Sequence, residues 1–161
     1  MRNLWWTACI VAGVVAADVA DAQEKRATPY WASIGASRAR MRTGPARTYP
    51  STWLYQRAGL PVQVVRIYKE WRKVRDPDGA EGWMQGNLLR ETRTAIVRGA
   101  APIAMRDAPE PGARLAWRAA PGVVGRLSEC ADGWCRLDVN GREGYVEVGG
   151  LWGVRPGEVL P

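Results

Sequence analysis

Histidine is missing from this chain of 161 residues, and cysteine occurs only three times. Without an imidazole there is no Ser-His-Asp or Cys-His relay and no ordinary zinc site. A glycine-rich phosphate loop is also lacking. The carboxylates do not compensate. Asp76 and Asp78 flank Pro77 just before Gly79, which is turn chemistry rather than a working acid–base pair. Glu70 and Glu81 have no sequence partner that suggests proton transfer. The chain is therefore read as non-catalytic, with no metal ligand and no cofactor.

Long apolar runs are scarce too. One occurs, over residues 4–17, and it falls short of the roughly 20 residues needed to span a bilayer. Arg2 precedes this run, and Ala20-Asp21-Ala22 follows with small residues where a signal peptidase needs them. That layout predicts a secretory signal peptide over residues 1–22, cleaved after Ala22. Cys9 lies ahead of most of the apolar stretch, too early to carry the lipid of a lipoprotein. The expected mature protein is periplasmic or secreted, with no membrane span. Cys130 and Cys135 remain in it, and two cysteines in an oxidising compartment read as a disulfide.

What is present is a pattern written twice. Met41-Arg42-Thr43-Gly44-Pro45 returns as Met105-Arg106-Asp107-Ala108-Pro109, and Gly59-Leu60-Pro61-Val62 is loosely matched by Gly122-Val123-Val124. Trp71-Arg72-Lys73-Val74 returns as Trp134-Cys135-Arg136-Leu137, and Gly82-Trp83-Met84 as Gly144-Tyr145-Val146. The landmarks keep their order at separations of 62 to 64 residues, the signature of a tandem duplication.

Each copy reads as short strands. Residues 61–68 are rich in β-branched side chains, and residues 71–75 follow a brief polar break. Cys135, Leu137 and Val139 alternate with Arg136 and Asp138, and Asn140-Gly141 then offers a tight hairpin turn. Helical periodicity is confined to a single turn near Asn87-Leu88-Leu89. The strand over residues 94–97 is taken to close the first unit, with the boundary at residues 98–101. The predicted organisation is all-β: a first barrel over 29–98, a second over 101–154, and a C-terminal tail over 155–161. Gln23 to Thr28 reads as a loose, polar lead-in.

These landmarks carry a resemblance. Residues 30–97, with Met41-Arg42-Thr43-Gly44-Pro45, Tyr49-Pro50, Trp53, Trp71-Arg72-Lys73-Val74-Arg75-Asp76, Gly82-Trp83 and Arg93-Thr94-Ala95, resemble a bacterial SH3-like domain of exported alphaproteobacterial proteins. The second copy is similar but more divergent. It has Ala108 where the first has Gly44, and it lacks an equivalent of Tyr49-Pro50. Leu151-Trp152-Gly153-Val154 resembles the tail of such two-module proteins. The resemblance implies small five- or six-stranded SH3-like β-barrels used for binding, often as targeting modules of cell-wall enzymes. It implies no particular ligand.

Charge then picks out one copy. Residues 29–97 hold twelve basic side chains against five acidic, a net of +7, whereas residues 98–161 balance eight against eight. Arginine interleaved with aromatics suits anionic ligands, since guanidinium grips carboxylates bidentately and stacks on rings. Arg42, Arg47, Tyr49, Trp53, Tyr55 and Arg57 cluster around the first long loop and are the candidate ligand-binding residues. Tyr49, Trp53 and Tyr55 are divided evenly between groove and core, whereas Trp71 and Trp83 are assigned to the core. Arg40 and Arg42 share a strand face and are read either as ligand contacts or as solvated. The expected function is an exported scaffold engaging cell-wall peptide or another anionic envelope protein. The alternative is a regulatory protein–protein partner of an envelope enzyme or secretion machine. Nucleic acid is set aside as a partner because of the signal peptide, although basic aromatic barrels do bind single strands. Oligomeric state is not read from the sequence.

The Cys130–Cys135 bridge closes a very short loop, so chain entropy makes it worth only about 2 kcal/mol. Mass spectrometry of the exported protein should find the cystine, and its reduction should soften the second barrel without unfolding it. Two free thiols after export would contradict this.

Overall fold

A computed structural model describes residues 26–161. The expected signal peptide and Gln23 to Lys25 lie outside the described residues. The fold consists of fourteen strands and two 3-10 turns among the described residues. In the first sheet the strands are β1 (Tyr30–Ile34), β2 (Ala39–Arg42), β3 (Ser51–Tyr55), β4 (Pro61–Tyr68), β5 (Trp71–Arg75), β6 (Glu81–Gln85) and β7 (Leu89–Arg90). In the second they are β8 (Thr94–Val97), β9 (Ile103–Arg106), β10 (Leu115–Ala119), β11 (Val124–Ala131), β12 (Trp134–Val139), β13 (Arg142–Glu147) and β14 (Leu151–Trp152).

The sheet orders are β3-β2-β6-β5-β4-β1-β7 and β10-β9-β13-β12-β11-β8-β14, the same permutation twice. The duplication in the sequence is thus a duplication of topology. Each unit has seven strands rather than five or six, because a two-residue strand follows each 3-10 turn and pairs back onto the unit's first strand. The expected helical turn is the 3-10 turn Gly86–Leu88.

One boundary moves. Residues 94–97 do not close the first unit but open the second, since β8 pairs with β11 and β14. The first barrel therefore ends near residue 91. The sequence misleads here because Thr94–Val97 is buried at every position and carries no one-sided alternation.

Local chemistry explains the strands. In β4, Val62 and Val64 are fully buried while Gln63 and Val65 are half-exposed, the alternation of a strand with one face on a core. Asn140 and Gly141 both take positive φ, 53° and 85°, so the β12–β13 hairpin closes in two residues. Cys130 faces Cys135 across the β11–β12 hairpin, and the two form a disulfide at a Cα separation of 4.1 Å. Met41 and Met105 are fully buried at matching positions of the two cores.

The barrels share apolar surface. Ile96 of β8 is buried in the core of the first barrel, with Val124 and Trp152 packed against it. The Trp152 ring meets Trp31 edge-on, with centroids 4.7 Å apart. Gly153 follows with φ +117°, and a Cβ there would lie 2.5 Å from the Thr94 carbonyl oxygen. No residue with a side chain fits that approach, which accounts for the Trp-Gly pair at the end of the second unit.

A polar seam runs beside this contact. The Arg93 guanidinium donates to both carboxylate oxygens of Glu158, at 2.6 and 3.2 Å, and to the Gly153 carbonyl at 2.9 Å. Burial raises the Glu158 pKa, but hydrogen bonds from Arg93 and the Arg155 N–H outweigh it and hold the carboxyl below its ordinary value. Arg155 also donates to the Pro29 carbonyl. Residues 155–161 therefore form an ordered clasp.

Truncating Trp152 to alanine removes its edge-on contact with Trp31 across the seam. Large-to-alanine changes at fully buried aromatics cost about 3–5 kcal/mol, and at the partly buried Trp152 the cost should fall toward the lower end of that range. Trp152→Ala should lower the denaturation midpoint of the whole chain and split its unfolding into two steps. A single, unshifted transition would show that the barrels do not stabilise each other.

Candidate functional site

The loop between β2 and β3 is built identically in both barrels. The Thr43 N–H donates to the Pro50 carbonyl at 3.0 Å, and the Asp107 N–H to the Arg114 carbonyl at 3.1 Å. Arg42 donates to the Tyr49 carbonyl at 2.7 Å, and Arg106 to the Ala113 carbonyl at 2.6 Å. Each arginine spans its loop and fixes the carbonyl seven residues on. Holding the loop is thus part of what Arg42 does, and its remaining donors stay available to a ligand.

The two departures of the second copy have one cause. The Tyr49 ring lies over Gly44, where a Cβ would come within 2.5 Å of ring carbons. Ala108 in place of Gly44 leaves no room for a ring, and the position matching Tyr49 holds the buried Ala113. The glycine and the tyrosine come and go together.

Of the six candidate residues, Arg42 lines a cleft and Tyr55 is engaged elsewhere. Arg42 and Tyr49 are joined through the loop carbonyl. Arg47 is exposed within the loop, and Arg57 is exposed in the segment between β3 and β4. Trp53 is 57% exposed and stands across from Met41 in the β2–β3 pairing. Tyr55 turns away from them: its hydroxyl donates to Asp76 Oδ2 at 2.8 Å. Asp76 Oδ1 accepts from the N–H groups of Asp78 and Ala80, at 3.0 and 2.8 Å. Asp76 is thus a turn carboxylate fastened to β3 by Tyr55, as the Asp-Pro-Asp-Gly sequence suggested. Burial first, and then the Asp76 hydrogen bond, push the Tyr55 phenol far above its ordinary value.

A different arginine set converges. Arg38, Arg40 and Arg42 line an open cleft of about 210 Å³ with Leu54, Trp71, Gln85 and Leu88. Strand geometry explains most of the convergence, because Arg40 and Arg42 share a face of β2 and the pairings Arg40↔Leu54 and Trp71↔Gln85 bring others alongside, while Arg38 joins from the bend just before β2. Trp71 is only 3% exposed yet lies outside the apolar core clusters, since it forms the wall of this cleft. Trp83 is half-exposed and meets Tyr68 edge-on at 6.5 Å, so it is not a core residue. Among the described residues, Arg38 and Arg40 make no salt bridge. The signal for this cleft is the run Arg38-x-Arg40-x-Arg42, which a period-two count isolates.

The second barrel has its own cleft at the matching place, about 230 Å³ in volume. Trp134 stands for Trp71 and Arg106 for Arg42, but Ala104 replaces Arg40, Glu147 replaces Gln85 and Gly150 replaces Leu88. The pocket is retained and its positive charge is not. Among the described residues no group of three or more acidic, histidine or cysteine side chains could hold a metal. No described helix is long and apolar enough to cross a membrane.

The Bacterial SH3 domain family matches the chain twice, over residues 35–91 and 99–153. No curated protein matches it. Among solved structures the chain is similar to NlpC1 from Trichomonas vaginalis at 14% identity and a TM-score of 0.35, covering 81% of this chain and 48% of that one. NlpC2 from the same organism is similar at 14% identity and a TM-score of 0.35, covering 78% and 48%. The chain spans about half the length of those structures.

Tyr55→Phe tests the division between support and site. Losing this hydrogen bond to a partly buried carboxylate should cost about 1–2 kcal/mol and leave ligand retention unchanged. The folded phenol titrates above the unfolded one, so its contribution is complete below pH ~10 and is lost as pH rises beyond that. Denaturation of wild type and variant between pH 8 and 12 should therefore show the gap closing at the alkaline end.

Proposed function

Because the chain belongs to the bacterial SH3 domain family, with two copies in tandem, we propose that it is an exported, non-catalytic binding module of the cell envelope. Its ligand carries carboxylates, as cell-wall peptides and acidic envelope proteins do, and binds in the arginine cleft of the first barrel. The observation that carries this reading is the cleft formed by Arg38, Arg40 and Arg42 against Trp71. Three guanidinium groups beside an apolar wall offer paired donors to carboxylates and a surface for the carbon skeleton. The excess of basic over acidic residues in 29–97 adds a field that draws anions to this barrel. Export, and the absence of chemistry at the cleft, rest on the N-terminal pattern and the missing histidine.

Co-sedimentation with purified sacculi tests the proposal. Arg38→Glu with Arg40→Glu should weaken retention about a hundredfold, each lost charge-assisted contact being worth ~1.5 kcal/mol. Retention should also fall with salt, because exposed charges are screened over about 8 Å at physiological ionic strength. The same reversal at Arg47 and Arg57 should do less harm. Greater damage from Arg47 and Arg57 would place the ligand on the loops instead, and indifference to salt would remove the electrostatic basis altogether.

A further inference from the structure

The two barrels carry the same strand edge with opposite charge, and only the second edge is covered among the described residues. Near its end, β11 meets the C-terminal segment. The Cys130 N–H donates to the Leu160 carbonyl at 3.1 Å, and the Leu160 N–H returns to the Cys130 carbonyl at 3.0 Å. The tail thereby extends the sheet beyond β8. Val159 and Leu160 share a cavity of about 330 Å³ with Glu129, Asp132, Trp134 and Tyr145.

In the first barrel β4 is the counterpart of β11, eight residues long in both cases. Ile67 faces Arg72 as Cys130 faces Cys135. Residues in such pairs alternate in which side their N–H and C=O face. By this register the backbone groups of Ile67 point where Leu160 sits on β11. The β1 pairing ends at Tyr30↔Val64, and no described residue pairs with Ile67 on that side.

The surroundings are recoded. Arg66, Tyr68 and Lys69 stand where the second barrel has Glu129, Ala131 and Asp132, and Trp83 stands for Tyr145. Two acidic residues have become two basic ones. Arg66 and Lys69 are exposed and make no salt bridge among the described residues. Tyr68 is 49% exposed, with the Trp83 ring against its edge.

We propose that this edge of the first barrel binds an extended acidic segment of a partner protein by strand addition, as the second barrel binds the chain's own tail. The partner's backbone pairs with Ile67, an aliphatic side chain lies against Tyr68 and Trp83, and its carboxylates meet Arg66 and Lys69. The backbone pairing supplies general affinity, and the two cations select for acidity. This surface adjoins the arginine cleft, since Tyr68 pairs with Trp71 and Trp83 with Arg42, but the backbone edge at Ile67 lies on the side of β4 away from β5 and does not use Arg38 or Arg40.

The test is an NMR titration of the ¹⁵N-labelled full chain with an acetylated Pro-Glu-Glu-Val-Leu-Pro peptide. The amides of Arg66 to Lys69 should shift and reach half of their full change near ~1 mM peptide, a modest affinity of about 4 kcal/mol. A Gln-Gln version should bind about threefold more weakly per charge lost, as exposed charge contacts do. Arg66→Glu with Lys69→Glu, both at exposed positions, should remove the shifts, whereas Arg38→Glu with Arg40→Glu should leave them. The proposal is overturned if no amide of residues 66–69 moves, if only residues 129–132 respond through exchange with the tail, or if the Arg38 and Arg40 changes abolish the effect.

Discussion

The packing of Trp152 and Ile96 onto the first barrel is the contact on which the rest depends. A barrel of about 60 residues buries a smaller fraction of its surface than a larger domain does and is marginal alone. Here the second unit lends β8 and β14 side chains to the core of the first. Burying a residue such as Ile96 is worth about 1.5–3 kcal/mol, a large share of a small domain's stability. The Arg93–Glu158 pair is partly buried and would be a poor stabiliser by itself. Flanked by the Arg155 and Gly153 hydrogen bonds, it sets the clasp in one position. With the seam fixed, the two units present their surfaces as one body.

On that body a duplicated scaffold has been kept where it supports and changed where it faces solvent. The loop hydrogen bonds, the arginine holding the loop carbonyl, the methionine in the core and the tryptophan wall of the cleft recur in both units. The exposed positions differ: Arg40 against Ala104, Gln85 against Glu147, Arg66 against Glu129, Lys69 against Asp132. All four differences make the first unit more positive. Other matched positions run the opposite way, Leu54 against Arg118 and Gln63 against Arg126, so the positive shift is local to the cleft and to the end of β4.

Much of this was legible in the sequence, for identifiable reasons. The repeat spacing and turn pairs such as Asn140-Gly141 are local, so the all-β tandem organisation and the Cys130–Cys135 bridge followed from short-range rules. Thr94–Val97 was assigned to the wrong unit because a strand buried on both sides has no face to read, and only its pairing with β11 reveals its allegiance. Tyr55 looked like a groove aromatic because nothing local announces that Asp76, 21 residues away, takes its hydroxyl. Arg47 and Arg57 were favoured by nearness along the chain, whereas the cleft is assembled across strands from Arg38, Arg40, Trp71 and Gln85. Trp71 shows the ambiguity at its sharpest: it is almost fully buried, as a core residue is, and it also lines the cleft.

The arginine row also bears on why the charge is where it is. Alternate residues on a strand lie about 6–7 Å apart, inside the screening distance of physiological salt. Arg40 and Arg42, alternate residues of β2, therefore repel one another, Arg38 adds its charge to the same cleft from the bend before the strand, and no described salt bridge relieves Arg38 or Arg40. Elsewhere on the same barrel the chain does neutralise its cations, with Glu81 taking both Lys73 and Arg75 at 2.9 and 2.6 Å. A single acidic residue facing the cleft would do as much there, and Glu147 is such a residue in the second barrel. In the first barrel that position is Gln85, a side chain that cannot neutralise a guanidinium. The folded state thus keeps a repulsion that one substitution would remove, and the anionic ligand proposed for the cleft would relieve it.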